Sequence, residues 1–142
     1  MTRALLITGG GRGIGAATAR LAAETGYAVC ISYRDNHATA AAVVESIRAQ
    51  GGTALAVQAD VSREDEVLRL FRQLDETFCS LYGLVNNAGI LEPQMGVETM
   101  TAERIARVFA TNVAGSFLCA REAVKRLSTR HGGPGGAIVN VS

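Results

Sequence analysis

A glycine cluster near the start of the chain has the residues to hold a phosphate. In Thr8-Gly9-Gly10-Gly11-Arg12-Gly13-Ile14-Gly15-Ala16 the glycines follow the apolar run Leu5-Leu6-Ile7 and open into an alanine-rich stretch that reads as a helix. Glycine reaches positive φ and carries no Cβ, so backbone N–H groups can turn sharply and lie against a pyrophosphate. The helix behind the loop adds free N–H groups and the positive end of its dipole. Gly11-x-Gly13-x-x-Ala16 fits only the alanine-ending variant of the dinucleotide fingerprint, and Thr8-Gly9-x-x-x-Gly13-Ile14-Gly15 is a second frame. Glycine clusters are more often plain turns, so the weight falls on what surrounds this one.

Four other places carry candidate chemistry. Asp60-Val61 stands just past a third apolar run, and alone reads as a turn ahead of Ser62. Asn86-Asn87-Ala88-Gly89 ends a fourth run, where asparagine amides can tie loops to the backbone. Asn112, in Thr111-Asn112-Val113, reads locally as a helix cap at a segment boundary. The second run ends Ser32-Tyr33-Arg34-Asp35, where a dinucleotide site chooses between a ribose 2′-OH, met by a carboxylate, and a 2′-phosphate, met by cations. Arg12 and Arg34 could converge on one phosphate in charge-assisted, bidentate fashion, which favours NADP. Asp35, 20 residues after Gly15, has the spacing of a ribose-binding acid and keeps NAD possible if the strand runs longer. A solvated loop charge is the plainer account of Arg34. His37 and His131 lie far apart without an H-E-x-x-H, which argues against a metal site, and the G-x-S-x-G of a hydrolase is missing.

These residues need elements to position them. The pattern predicts a helix from about Ile14 to Thr25 stopped at Gly26, and a strand over Tyr27–Tyr33. Ala40, Val43, Val44 and Ile47 mark one stripe of a second helix ending at Gly51-Gly52. A strand over Leu55–Ala59 follows, then an approximate capping box, Ser62-x-x-Asp65, opening a helix that buries Val67, Leu70, Phe71, Leu74 and Phe78. Leu81–Val85 is a fourth strand; Thr101 opens a helical region through about Thr129, hinged near Asn112; Arg130–Gly136 is a loop, and Ala137–Val141 a fifth strand. Short, nearly all-apolar strands alternating with helices imply an α/β, doubly wound parallel sheet, of order 3-2-1-4-5, with its ligand crevice at the carboxyl ends of strands 1 and 4.

The 142 residues (14.8 kDa) suit one domain, expected to be a dinucleotide-binding one over residues 1–142, incomplete because the chain ends within the fifth strand. A net charge of +1 without a basic block favours neither nucleic acid nor an anionic membrane. There is no apolar run of membrane-spanning length and no charged-then-apolar leader. Cys30, Cys79 and Cys119 lack any C-x-x-C and read as buried thiols of a reducing, cytoplasmic setting. Ala106, Phe109, Phe117 and Val124 read as core or subunit contacts.

In order and spacing, Thr8-Gly9-x-x-x-Gly13-Ile14-Gly15, Asp60-Val61, Asn86-Asn87-Ala88-Gly89 and Thr111-Asn112-Val113 resemble the short-chain dehydrogenase/reductase family along the whole chain. The resemblance implies an NAD(P)-binding Rossmann fold and hydride transfer between the cofactor and a carbonyl or secondary alcohol. It assigns Thr8, Gly9, Gly11, Arg12, Gly13, Ile14 and Gly15 to the phosphate loop and Tyr33 with Arg34 to the end of strand 2, where NAD-type members carry aspartate. It further assigns Asp60 and Val61 to adenine, and Asn86, Asn87, Ala88 and Gly89 to the sheet's centre and the cofactor. Asn112 is the implied catalytic-relay residue, its carbonyl freed by a helix kink to hold a water. The pattern looks most like bacterial glucose 1-dehydrogenase-like or 3-oxoacyl reductase members. It implies a small-molecule substrate and a homodimer or homotetramer built on the long helix.

The family's Tyr-x-x-x-Lys pair has no counterpart here. Tyr82 is followed by Asn86, Tyr27 and Tyr33 lack a lysine four later, and Lys125 is the sole lysine. Gly136-Ala137-Ile138-Val139-Asn140-Val141-Ser142 matches the family's G-x-I-V-N-[IV]-S-S up to its first serine, the catalytic one being the next. The expectation is therefore the N-terminal portion of a longer enzyme, inactive by itself. The alternative is a non-catalytic dinucleotide sensor or scaffold.

Overall fold

A computed structural model describes residues 2–142. Five strands, β1 (Ala4–Ile7), β2 (Ala28–Tyr33), β3 (Ala54–Gln58), β4 (Leu81–Asn86) and β5 (Ala137–Asn140), form one sheet. Its order is β3-β2-β1-β4-β5 and every neighbouring pair is parallel, as the alternation required. Helices α1 (Gly13–Glu24), α2 (His37–Ala49), α3 (Glu64–Thr77), α4 (Ala102–Phe109) and α5 (Gly115–Leu127) complete the chain, with short 3-10 turns at Val97–Thr99 and Thr129–His131.

The period-2 alternation of the strands divides the core into two layers. Leu6 and Cys30 face α3 and α5, joining Val67, Leu70, Phe71, Leu74, Cys119, Ala123 and Leu127. Ile7, Val29 and Ile31 face α1 and α2, joining Ala16, Ala19, Val43 and Ile47. Small residues on α1 let that helix lie close to the sheet, which brings its N-terminus to the carboxyl end of β1.

Several local expectations are corrected. Ser62 caps nothing: α3 starts one residue after Arg63, without a side-chain cap, and the Ser62 hydroxyl instead donates to Asp60 Oδ1 at 2.6 Å. The two helical segments expected to meet near Asn112 are present, as α4 and α5, and they join without a break in the helix. Phe109, Ala110, Ala114 and Gly115 all keep right-handed helical dihedrals, and Ala110–Ala114 is one π-helical turn joining α4 to α5. Gly115 N–H reaches back five residues to the Ala110 carbonyl, so one extra residue is accommodated without losing the helix. Thr101 does open the segment, its hydroxyl accepting from Arg104 N at 3.1 Å. Cys30 and Cys119 are buried but Cys79 is exposed, contrary to the expectation of three buried thiols. Phe109, Phe117 and Val124 are exposed and add nothing to the core.

Among the described residues, no helix is long and apolar enough to cross a membrane.

Candidate active site

The carboxyl ends of β1 and β4 are stitched together by two polar side chains. Thr8, buried, places its Oγ1 where it accepts from the backbone N–H of both Asn87 and Ala88, each at 3.0 Å. Asn87 answers by donating its amide to the carbonyls of Thr8 and Gly9 at 3.1 and 3.0 Å. Ser32, a polar residue in an otherwise apolar buried strand, accepts from Gly9 N at 3.3 Å. The glycine loop is thus held from both neighbouring strands. Two of its glycines are sterically required: Gly9 sits at φ +62° with Ala88 Cα 2.9 Å from where a Cβ would stand, and a Cβ on Gly15 would meet the Gly9 carbonyl and lie 2.6 Å from Asn87 Nδ2.

Beyond this loop α1 begins at Gly13 with no side-chain cap and no acidic residue in its first turn. The first intrahelical bond runs from Ala16 N to the Arg12 carbonyl, so the N–H groups of Gly13, Ile14 and Gly15 have no partner within the helix. Gly13 and Ile14 line a cleft of about 500 Å³, with Gly9, Gly11 and Arg12 also on its walls from the loop. Tyr33, Arg34 and Asp35 form its wall at the end of β2, Asp60 and Val61 its wall after β3, and Asn87, Ala88 and Gly89 its wall after β4. Residues from four segments far apart in sequence therefore meet in one cavity.

Not every candidate lines it. Thr8 and Gly15 support the loop from behind. Asn86 turns away, donating to the Ser116 carbonyl (3.1 Å) and to Asn140 Oδ1 (3.0 Å), which ties β4 to α5 and β5. Asn112 lines a second, adjoining cavity of about 710 Å³ with Val113, Ser116 and Phe117. Its side chain pairs with both backbone groups of Ile90, at 2.8 and 2.9 Å, while its own carbonyl accepts from the Ser116 hydroxyl at 3.2 Å. Ile14, Asn87, Ala88, Gly89 and Ile90 border both cavities, which form one trough along the carboxyl edge of the sheet.

Asp60 has two occupations. Oδ1 accepts from Ser62 N and Oγ, the turn role visible in the sequence, and among the described residues Oδ2 has no partner. At the β2 end, Tyr33 is the last strand residue, so Arg34 is the first residue beyond it. Arg34 Nε donates to Asp35 Oδ2 at 2.8 Å and both side chains are exposed. Arg12 makes no ion pair among the described residues.

Sequence reasoning missed Ser32, Asn36 and Thr39, all on the cleft wall. Ser32 carried a signal: a lone hydroxyl in a buried strand must find a partner. Asn36 carried another, since its Oδ1 caps α2 through Thr39 N at 3.1 Å.

The same arrangement recurs in known proteins. Residues 3–142 match the family described as short chain dehydrogenase. The chain belongs to that family. It is 54% identical over 137 residues to a protein of Escherichia coli (strain K12) called uncharacterized oxidoreductase YgfF, the match covering 96% of this chain and 56% of that protein. It is 38% identical over 142 residues to a 3-oxoacyl-[acyl-carrier-protein] reductase, FabG, of Staphylococcus aureus, covering 100% of this chain and 56% of the relative. Its backbone resembles the crystal structure of a 3-ketoacyl-ACP reductase from Sinorhizobium meliloti 1021 with a TM-score of 0.91 at 36% identity, covering 98% of this chain and 53% of that one. The chain spans about half the length of the curated relatives it matches.

Proposed function

We propose that this short chain dehydrogenase is the dinucleotide-binding part of an oxidoreductase that moves hydride between NADP(H) and a carbonyl or secondary alcohol. The observation that carries the reading is the uncapped start of α1, open to a cleft whose rim holds Arg12 and Arg34. Three N–H groups and a dipole end suit a pyrophosphate. Tyr33 ending β2 puts an arginine, not a carboxylate, first beyond the strand, which favours a 2′-phosphate over a bare 2′-OH. The reductase relatives point the same way.

In this reading Gly9, Gly11, Gly13 and Ile14 cradle the pyrophosphate, with Thr8 and Gly15 shaping the loop. Arg12 and Arg34 hold the 2′-phosphate beside Tyr33. Asp60 Oδ2 is the open acceptor for the adenine amino group, with Val61 against the ring. Asn87, Ala88 and Gly89 line the path towards the second cavity, and Asn86 supports them from behind. The bound nicotinamide would supply the hydride. Asn112, through Ile90, fixes the loop bordering the trough, and its carbonyl, met by the Ser116 hydroxyl, is the group proposed to serve a proton relay. With no tyrosine four residues before a lysine, these 142 residues are assigned nucleotide binding, with Asn112 the relay group among them. The exposed stripe of Phe109, Phe117 and Val124 is assigned to a homodimer or homotetramer contact, in a cytoplasmic protein.

Fluorescence titration of the purified protein with NADPH and NADH tests this. NADPH should bind about tenfold or more tightly, and Arg34→Ala should erase most of the difference. Equal affinities, or tighter NADH, would contradict it.

A further inference from the structure

We propose that Asp35 is a specificity-determining residue that lowers the cleft's affinity for a 2′-phosphate by acting on Arg34, an inference that rests on the NADP(H) reading above. The backbone here is fixed from two sides. Gln58 Nε2 donates to the Arg34 carbonyl at 3.0 Å, and Gln58 Oε1 is itself held by Arg69 Nη2 at 3.1 Å. Across the turn, Tyr33 Oη and His37 Nδ1 lie 2.7 Å apart and Asn36 caps α2. The two side chains on this anchored turn reach into solvent, at 50% exposure for Arg34 and 75% for Asp35.

Asp35 takes the Nε of Arg34. A guanidinium grips an oxyanion bidentately through paired N–H groups, either Nε with one Nη or the two Nη together. Asp35 blocks the first mode and leaves the second, since neither Nη has a partner among the described residues. It also places a full negative charge on the cleft wall, one hydrogen bond from the cation meant for a phosphate. Two effects follow with opposite sign. Holding Arg34 in place helps binding, but an exposed ion pair orders a side chain weakly. Repulsion of a phosphate carrying nearly two charges hinders binding, and for a phosphate held by Arg34, whose Nε lies 2.8 Å from Asp35, it is the larger effect. Arg12 on the glycine loop and Asp60 across the cleft are the other charged groups on these walls; both stay constant when Asp35 is changed.

The test is Asp35→Asn, with Asp35→Ser as a second variant, in the purified protein titrated with NADPH and NADH at low and high salt. NADPH should tighten about three- to tenfold at low salt, NADH should move less than twofold, and the gain should shrink as salt is added. A wild-type protein that prefers NADPH, with variants whose NADPH affinity is unchanged or weaker, would overturn the role of Asp35 and leave the NADP(H) reading standing. A wild-type protein that prefers NADH, with variants that weaken NADH, would overturn both and make Asp35 a ribose-binding acid.

Discussion

Thr8 shows how much of the site depends on a residue that a ligand need not touch. Its hydroxyl is the shared acceptor for two backbone N–H groups at the β4 end. Thr8→Val keeps the shape and removes the acceptor, so both donors lose their partner in a buried place. The expected cost is about 1–3 kcal/mol, read as a lower denaturation midpoint, with nucleotide affinity falling as the loop loosens. A midpoint within error of wild type would show that water replaces the hydroxyl. The cysteines give a second residue-scale prediction. Burial pushes the Cys30 thiol up to about 12, and burial with the nearby Glu122 carboxylate does the same for Cys119. Thiolate is the reactive form, so a thiol reagent at neutral pH should label one site, the exposed Cys79, in the native protein. The other two should react only after denaturant is added. Three labels on the native protein would contradict this.

At the scale of elements, α3 and α5 are clamped at both ends by ion pairs centred on one buried carboxylate. Glu122 receives Lys125 at 2.8 Å and Arg121 at 3.0 Å, while Arg121 also reaches Glu64 at 2.7 Å and Arg126 reaches Asp75 at 2.7 Å. Burial pushes the Glu122 pKa up, but the hydrogen bonds from Lys125 and Arg121 outweigh it and hold the group below its ordinary value. A carboxylate with a lowered folded pKa stabilises the fold above its unfolded pKa, and that stabilisation is lost as pH falls through the folded value. Glu122→Gln should therefore cost about 1.5–3 kcal/mol at neutral pH. The gap to wild type, measured by chemical denaturation, should narrow as pH falls below the ordinary carboxylate range and through the lowered folded value. A gap independent of pH would mean packing, not charge, carries the effect. The elements were largely legible beforehand, because apolar strands and helical stripes such as Ala40, Val43, Val44 and Ile47 depend on local periodicity. The failures share a cause. Ser62 could have capped α3, but Asp60, two residues earlier, competed for its hydroxyl. Asn112 does lie at the junction of α4 and α5, but its side chain pairs with Ile90, a contact 22 residues away that no local pattern encodes. The glycine loop, Asp60 and Asn87, singled out in the sequence, line the cleft, whereas Asn86 shares the same short motif and turns to Ser116 and Asn140.

At the scale of the molecule, one trough runs along the carboxyl edge of the sheet, and an apolar stripe runs from its wall at Val113 and Phe117 across the helical surface. Ile105, Phe109, Val113, Phe117 and Val124 leave large hydrophobic side chains on the surface of α4, the π-helical turn and α5, with Phe117 74% exposed. A stripe of this kind marks an interaction surface. Phe117→Glu should shift the protein towards monomer in sedimentation or light scattering, and an unchanged mass would remove the stripe from the subunit contact. The central claim concerns the trough: the start of α1 holds a pyrophosphate while Arg12 and Arg34 hold a 2′-phosphate. A crystal structure of the protein grown with NADP⁺ tests that most directly. It should place the pyrophosphate oxygens on the N–H groups of Gly13 and Ile14, the 2′-phosphate between Arg12 and Arg34, and the adenine amino group on Asp60. A nucleotide bound elsewhere, or one whose 2′-phosphate contacts neither arginine, would contradict the account.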